Sequence, residues 1–340
     1  MPDSTQLLDQ FCVWLELNAG RSPRTVLKYR RHLEALAAYL AERDLAFETA
    51  PGAELEAFTG LYMHQQGLRP RSRRPVVAAV RKFFAWLVRT GHLARNPAAD
   101  VPYPKAGYPL PVFIEEKHAE KLLMAPGLDT FLGRRDTAML SLLIGCGLRV
   151  SGLIALNESS LLFYADDKNP KRERLAVRVV EKGNRERIVP APDECWALLR
   201  AYLGAPELDD IDRDLPNGDR VLFVSVNNRQ HREDEYRGEN RRLSARSVDD
   251  LVKRYGQAAG IPQAQRHAHA MRHLYGTQMA EADVDLLVRQ ALMGHRSPST
   301  TEVYTRLAQR KLREAADKGN PFRRIRTPVT DLVRELQRSP

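Results

Sequence analysis

The chain has 340 residues, of which 43% are hydrophobic and 28% are charged. This composition excludes an intrinsically disordered protein, and the length favours two folded domains. The formal net charge of +10 favours a polyanionic partner, nucleic acid first and an acidic membrane surface second. Simple solubility is the alternative explanation for the charge, and its distribution along the chain separates the two.

Three cysteines, Cys12, Cys146 and Cys195, are scattered along the chain. Neither their number nor their spacing fits a disulfide framework or a zinc site. The first residues lack the features of an export signal, and no apolar run approaches the roughly 20 residues of a membrane helix. We therefore expect a cytoplasmic protein with no membrane partner.

The first hundred residues predict a helical domain, assigned to residues 1–96. Ser22 and Pro23 suit the N-cap and first position of a helix, and apolar residues recur at helical spacing from there to residue 42. A second helix is expected around residues 61–62. A third is expected over about residues 74–90, where Gly91 ends it.

One stretch of this region carries charge of a single sign. No acidic residue lies between Glu56 and Asp100, whereas arginines and lysines are frequent there. A solvated helical face normally mixes signs, so this stretch predicts contacts with DNA phosphates. A neutral solvated face is the alternative. The predicted DNA-binding residues are Arg69, Arg71, Arg73, Arg74, Arg81 and Lys82.

A proline-rich segment, residues 97–111, predicts an extended linker to a second domain. Beyond it, residues 114–124 and 134–145 have helical patterns. Residues 175–192 predict two strands joined at residues 182–184, and residues 220–226 predict another strand. Residues 205–219 and 229–242 are expected to be charged surface loops, and residues from 247 onward are again helical. The pattern predicts a mainly α protein with a small antiparallel β-sheet in its C-terminal domain.

Acidic residues alternate at Asp210, Asp212 and Asp214, as in a calcium-binding loop. Leu215 stands where such a loop requires glycine, so we exclude calcium binding. No other metal-ligand set is present in the sequence, and we expect no metal and no cofactor.

Several short motifs carry residues suited to catalysis. "HAMRHLYGT" places His269 and Arg272 on one side of a helix, and "GCGLRVSGL" presents Arg149 after a glycine-rich turn. Lys182 lies at the predicted hairpin tip. Each motif also has a plain structural explanation: a surface His–Arg pair, an arginine over a helix end, a solvated lysine.

The segment "LMGHRSPSTTEVYTRL" contains a helix stop at Gly294 and then His295. Ser299 and Glu302 form a capping box that predicts a new helix carrying Tyr304. A tyrosine is more often a core residue, but its neighbours here are polar.

Together these residues suit phosphodiester chemistry. Two guanidinium groups neutralise the charge that develops on the non-bridging oxygens. A tyrosine forms a covalent link to phosphorus, a histidine takes its proton, and a lysine protonates the leaving oxygen. Unperturbed tyrosine has a pKa of about 10, so it needs such help.

In order and spacing, these motifs resemble the tyrosine recombinase (phage integrase) family, from about residue 6 to residue 310. The resemblance implies a helical core-binding domain joined to an α+β tyrosine-recombinase catalytic domain, over residues 112–318. It implies a cut that leaves a 3′-phosphotyrosine and a free 5′-hydroxyl, and strand exchange through a Holliday junction without ATP or metal. The implied catalytic residues are Arg149, Lys182, His269, Arg272, His295 and Tyr304.

The resemblance also implies partners. These are double-stranded DNA carrying a specific recombination site, self-assembly into a tetramer on that DNA, and in some relatives a second recombinase or accessory protein. We expect a Xer-like simple recombinase, with a mobile-element integrase or transposase as the alternative. Residues 319–340 form a basic, amphipathic tail, for which docking on a neighbouring protomer is favoured over folding back on its own core.

One position departs from the family pattern. The first box of the family reads Arg-x-x-Glu or Arg-x-x-Asp, and here it reads Arg149-Val-Ser-Gly152. The missing acid typically supports the active-site histidine and arginine, so its loss bears on the protonation of His269. Two further hypotheses follow: a catalytically weak relative that only binds DNA, and a relaxing topoisomerase of the same mechanistic type. Intact Tyr304 and both arginines argue against the first hypothesis. The basic core-binding domain and the C-terminal tail favour assembly and so argue against the second.

Overall fold

The computed structural model describes residues 4–107, 112–166, 169, 171–181, 185–228, 231–294 and 313–338. Contacts divide the chain into two compact units, residues 1–110 and residues 111–340, here called the N-terminal and C-terminal units. Within the described residues, no helix has both the length and the apolar character to cross a membrane.

The N-terminal unit is entirely helical over its described residues. Its core is built from aromatic and aliphatic side chains, and the ring of Phe11 packs against Phe83 and Trp86 at centroid distances of 5.2 and 5.5 Å. A π-helical stretch, Phe58–Tyr62, separates the third and fourth helices. The helices are α1 (Ser4–Leu17), α2 (Pro23–Ala41), α3 (Gly52–Ala57), α4 (Met63–Gln65) and α5 (Pro70–Arg89).

Helix α5 begins four residues before the predicted start. Pro70 occupies its first turn, where a missing N–H costs nothing, and Arg69 is the N-cap residue in an extended conformation. Pro75 also lies within the helix. The apolar pattern used for the prediction is absent from the first turn of α5, so the predicted helix began only at about Arg74. One face of α5 is buried, and Phe83 and Phe84 on it are fully inaccessible.

The start of the predicted linker packs onto this helical core. Ala98 and Val101 are buried within it. Arg81 donates a hydrogen bond to the Val101 carbonyl oxygen at 3.4 Å, and Arg74 donates one to Pro104 at 3.2 Å. The guanidinium groups of Arg74 and Arg81 also approach the ring of Tyr103, at 5.2 and 5.4 Å from its centroid, respectively. Residues up to 104 are therefore held by the N-terminal unit.

The C-terminal unit places helices around a three-stranded antiparallel sheet. Its largest core lies between the sheet and helices α7, α9 and α10, and the central residues Leu140, Val177 and Leu198 are fully buried. The elements are α6 (Glu116–Met124), α7 (Phe131–Gly145), α8 (Val150–Ile154), β1 (Leu161–Ala165), β2 (Glu173–Glu181), β3 (Arg185–Pro190), α9 (Asp193–Leu203), α10 (Ala245–Ala258), α11 (Ala268–Glu281), α12 (Leu286–Met293) and a C-terminal helix (Thr330–Arg338).

The fold class is the predicted one, mainly α with a small antiparallel sheet. Strands β2 and β3 form the expected pair, with Val179 opposite Arg187 in the register. The strand predicted over residues 220–226 is wrong. Val221 and Val224 make only isolated bridges, to Asn157 and Arg242, and their apolar character reflects burial in the core. The third strand is instead β1, which the sequence pattern missed.

A smaller apolar cluster joins α11, α12 and a helical segment at residues 313–318. Tyr275 and Met279 of α11 pack there with Leu292 and Met293 of α12 and with Ala316. Arg174 of β2 also holds the segment through two hydrogen bonds to Asp317, at 2.8 and 3.0 Å. The described residues on both sides of the segment carrying Tyr304 are thus fixed within one unit.

In the single chain, the C-terminal helix packs against its own unit. Val329 and Val333 belong to the large core, whereas Leu332 is 52% exposed. The favoured expectation, in which this tail docks on a neighbouring protomer, stays a prediction.

Candidate active site

Arg149 follows a tight glycine turn at the end of α7. Gly147 has a φ of +58°, and a Cβ atom placed on it would lie 2.5 Å from Cδ1 of the Tyr275 ring. Only glycine satisfies both the left-handed backbone and this close approach. Arg149 then adopts an extended conformation as the N-cap of α8, which turns the chain at this point.

Arg272 lies within the protein interior at 2% exposure. It donates a hydrogen bond from Nη1 to the Gly147 carbonyl oxygen at 2.5 Å, and another from Nη2 to the carbonyl oxygen of Met293. One guanidinium therefore ties α11 both to the turn before Arg149 and to the last turn of α12. Burial, and then the charges of Arg149 and Arg187, lower its pKa.

A third arginine, Arg187 of β3, shares this region and was missed in the sequence. Its side chain is buried and donates a hydrogen bond from Nη1 to the carbonyl oxygen of Leu292. Burial, followed by the charge of Arg187, lowers the pKa of Arg149. The only sequence signal was the alternation of β3, because Arg187 occupies the same face as the buried Val189.

His269 lies one turn before Arg272 on α11, and its side chain stays accessible. Its ring meets His273 edge-on with centroids 4.5 Å apart. Partial loss of hydration, followed by the charges of His273 and Arg272, lowers the pKa of His269 below its ordinary value. The lowered pKa favours the neutral imidazole, which is the form that can accept a proton.

Helix α11 begins at an unusual N-cap, His267. Its backbone is extended, and Nδ1 of its ring accepts a hydrogen bond from the Ala270 amide at 3.1 Å. The cap satisfies one of the N–H groups that a helix start leaves without an internal partner. It fixes the first turn of the helix that carries His269 and Arg272.

Gly152 occupies the position where the family pattern has an acid. It is buried in α8, and a Cβ atom on it would lie 2.7 Å from Cγ1 of Val179. Val179 is fully buried on β2, directly opposite Arg187. A valine methyl group thus fills the space that an acidic side chain would enter.

Three predicted catalytic residues, Lys182, His295 and Tyr304, lie outside the described residues. Their chain neighbours are described. Glu181 ends β2, Arg185 begins β3, and Gly294 ends α12 with a φ of +63°. The structure brings together the three predicted residues that it describes, Arg149, His269 and Arg272, and adds Arg187 to them. Among the described residues, no group of three His, Cys, Asp or Glu side chains is placed to hold a metal ion.

One family profile matches residues within each of the two units. The profile described as the phage integrase family matches residues 113–311. The profile described as the phage integrase N-terminal SAM-like domain matches residues 8–91.

The chain belongs to the phage integrase family.

Named relatives in this family are similar along nearly their whole length. The tyrosine recombinase XerD of Pseudomonas putida is 33% identical over 317 residues, which are 93% of this chain and 97% of that protein. The tyrosine recombinase XerC of Shewanella amazonensis is 32% identical over 321 residues, which are 94% of this chain and 98% of that protein.

Solved structures of phage integrase family members share the fold. The XerH recombinase in a pre-cleavage complex with difH has a TM-score of 0.63 at 18% identity, covering 93% of this chain and 84% of that one. A lambda integrase tetramer on a Holliday junction has a TM-score of 0.60 at 17% identity, covering 88% and 79%. At these identities the likeness establishes the fold alone.

The predicted DNA-binding residues lie on and next to α5 of the SAM-like region. Arg69, Arg71 and Arg74 are exposed, whereas Arg81 and Lys82 are half-buried. Arg73 is half-buried, and its Nη1 donates a hydrogen bond to the carbonyl oxygen of Gly60 at 2.8 Å, whereas Arg74 and Arg81 bond carbonyl groups of the segment after the helix. We interpret Arg73 as holding the π-helical stretch, although its role on DNA stays a prediction.

Proposed function

We propose that this protein is a site-specific recombinase that cuts and rejoins DNA strands through a covalent bond between Tyr304 and a 3′-phosphate. Membership of the family supports the class of reaction, and similarity to XerD and XerC supports a Xer-type enzyme over a mobile-element integrase. The observation that carries the proposal is that buried Arg272 bonds the turn before Arg149, and that burial and then the charge of Arg149 lower the pKa of Arg272 in the absence of an anion.

In the proposed mechanism, Arg149 and Arg272 bind the non-bridging oxygens of the scissile phosphate. Their charge stabilises the pentacoordinate transition state more than the diester, which is the requirement for faster chemistry. The hydrogen bonds of Arg272 to Gly147 and Met293 fix its guanidinium before DNA binds, so little rearrangement is needed.

The proton movements complete the step. The Tyr304 oxygen attacks phosphorus, the bond from phosphorus to the 5′-oxygen breaks, and Lys182 protonates that oxygen. His269 takes the tyrosine proton, for which its lowered pKa keeps it neutral. His295 hydrogen-bonds the phosphate. In the reverse step, the 5′-hydroxyl of the exchanged strand gives its proton to Lys182 and attacks the phosphotyrosine. The bond from phosphorus to the tyrosine oxygen breaks, and Tyr304 leaves with a proton from His269.

The DNA partner is proposed to lie against the exposed arginines of α5. Relatives of the same fold are bound to DNA in their solved structures, one of them as a tetramer on a Holliday junction. We extend this assembly to the present chain, with four protomers joining two duplexes and a second recombinase or accessory protein as an additional partner.

Trapping the covalent intermediate tests the proposal. The DNA site is obtained by selecting random-sequence duplexes on purified Tyr304→Phe protein. A nicked duplex of the selected sequence then loses its short 5′-hydroxyl strand on cleavage, so wild-type protein accumulates on DNA. Tyr304→Phe is expected to remove the product, whereas Tyr255→Phe on α10 serves as a matched control and retains it. Equal trapping by wild type and Tyr304→Phe would assign the nucleophile elsewhere.

The weak DNA-binding relative is the second candidate, and the glycine at position 152 is the observation that favours it. The same experiment separates the two. Tight selected binding without any covalent product in wild type supports the binding protein, whereas a trapped product that depends on Tyr304 supports the recombinase.

A further inference from the structure

Two consecutive carbonyl groups at the end of α12 are bound by arginines from different elements. Arg187 of β3 donates to Leu292, and Arg272 of α11 donates to Met293. The last four carbonyl groups of a helix have no donor within that helix. These two are therefore satisfied by guanidinium groups, one of which belongs to the proposed phosphate site.

Arg187 connects this helix end to the strand that follows Lys182 in the chain. Arg187 lies two residues into β3, which begins three residues after Lys182. Opposite it on β2 is Val179, two residues before that strand ends at Glu181. The Arg187 side chain is buried on the core face of the sheet. Its hydrogen bond to Leu292 therefore ties the beginning of β3 to the end of α12.

We infer that Arg187 is a positioning residue for strand cleavage: it fixes β3, the strand that follows Lys182 in the chain, against the end of α12. The inference rests on the proposed function, because Lys182 matters only where a leaving oxygen needs a proton. Arginine suits the task, since its planar group carries five donors and keeps its charge when buried.

The distinguishing measurement uses two leaving groups. On the selected nicked duplex, the scissile 5′-oxygen is kept in one substrate and replaced by sulfur in the other. A thiolate leaves without protonation, so sulfur rescues a misplaced general acid but does not rescue a general loss of fold or of phosphate binding. Single-turnover cleavage rates are measured for wild type, Arg187→Gln, Arg187→Lys and Lys182→Ala.

We expect Arg187→Gln to cleave the oxygen substrate about 100-fold more slowly, the loss that a displaced catalytic group produces. On the sulfur substrate, most of the loss in cleavage rate is expected to disappear. The same rescue is expected for Lys182→Ala, whose rate recovery sets the upper limit for that of Arg187→Gln. Arg187→Lys keeps the charge but carries its donors on a single nitrogen. Its cleavage rate on the oxygen substrate is therefore expected to fall between those of wild type and Arg187→Gln. Binding of the uncleaved duplex stays unchanged.

Arg178→Gln is the matched control. Arg178 lies on the neighbouring strand β2 and donates a hydrogen bond to the backbone oxygen of Ser159 at 3.2 Å, but faces the other side of the sheet. Its cleavage rates are expected to equal those of wild type. Thermal melting of every variant establishes folding, and Arg187→Lys decides the question if Arg187→Gln does not fold.

Equal slowing of Arg187→Gln on both substrates, or no slowing at all, would overturn the inference while leaving the proposed function intact. Absence of a Tyr304-dependent product from wild type would instead overturn the proposed function, and the inference with it.

Discussion

The Cγ1 methyl group of Val179 occupies the space into which a side chain at position 152 would extend, because a Cβ atom on Gly152 would lie 2.7 Å from it. Val179 belongs to a strand and is fully buried, so its β-branched side chain has little freedom to move aside. The two residues are therefore coupled, and the loss of the acid in α8 goes together with a bulky neighbour on β2.

This coupling predicts a non-additive pair of substitutions. Gly152→Ala is expected to lower the free energy of unfolding by about 1–3 kcal/mol, the usual cost of overpacking a core. In a Val179→Ala background the same change is expected to be neutral or stabilising, since alanine is the better helix former. Urea denaturation of the four proteins of the cycle measures the coupling. Additive effects would mean that the two side chains do not compete for space.

Substitution of Gly147 is predicted to lower the free energy of unfolding more than Gly152→Ala does, through two causes that can be measured separately. Gly147→Ala meets both the left-handed backbone at φ +58° and the Tyr275 ring, and we expect a loss of roughly 3 kcal/mol or more. Gly218 has a φ of +80°, and a Cβ atom placed on it would have no neighbour within 4 Å, so Gly218→Ala meets the backbone strain alone, about 1 kcal/mol. Chemical denaturation of both variants isolates the steric part, and equal losses would show that Tyr275 moves aside freely.

The exposed arginines of α5 predict a change in the salt dependence of DNA binding. Arg71→Ala and Arg74→Ala are each expected to reduce the slope of log K against log salt by about 1, the loss of one phosphate contact. Arg73→Ala is the comparison, because Arg73 is half-buried and bonds Gly60 in the π-helical stretch, whereas Arg71 and Arg74 are exposed; it is expected to lower thermal stability more than the slope. Titrations of the selected duplex at several salt concentrations provide the slopes. An unchanged slope for Arg71→Ala and Arg74→Ala would place these residues away from DNA.

The histidine pair of α11 predicts a shift in proton affinity. The pKa of His269 is lowered first by reduced hydration and then by His273, so protonated His269 is disfavoured in the folded protein. His273→Gln removes one source of repulsion and is expected to raise the pKa of His269. Because a depressed basic pKa removes stability as pH falls below the unfolded value, the variant is also expected to lose less stability between about pH 7 and pH 5. Histidine NMR titration of the free protein reports the pKa, and a decrease would contradict the electrostatic account.

Prediction from the sequence succeeded where the signal was local. Helices α2 and α5, the pairing of β2 with β3 and the helix end at Gly294 each follow from periodicity, turn residues or caps that a short window contains. The region around Val221 failed for the same reason. A short apolar run looks alike whether it pairs in a sheet or only fills a core, and here it fills the core.

The site shows the same limit. Arg149, His269 and Arg272 stand in motifs that the sequence displays, whereas Arg187 is an ordinary arginine among others in "NRERIV". Its importance arises from the register of β3 and from the carbonyl of Leu292, which is more than a hundred residues away in the chain. Contacts at such separation leave no pattern in a single sequence. The roles of Lys182, His295 and Tyr304 stay predictions.

The N-cap of α11 makes its helix dependent on one lone pair. Nδ1 of His267 accepts from the Ala270 amide, which requires a neutral ring carrying its hydrogen on Nε2. A carboxylate or hydroxyl, the usual caps, presents lone pairs in several directions, whereas a neutral imidazole ring presents one, in the plane of the ring. The orientation of one side chain at position 267 therefore sets the start of the helix from which both His269 and Arg272 project, so folding and catalysis constrain the same residue.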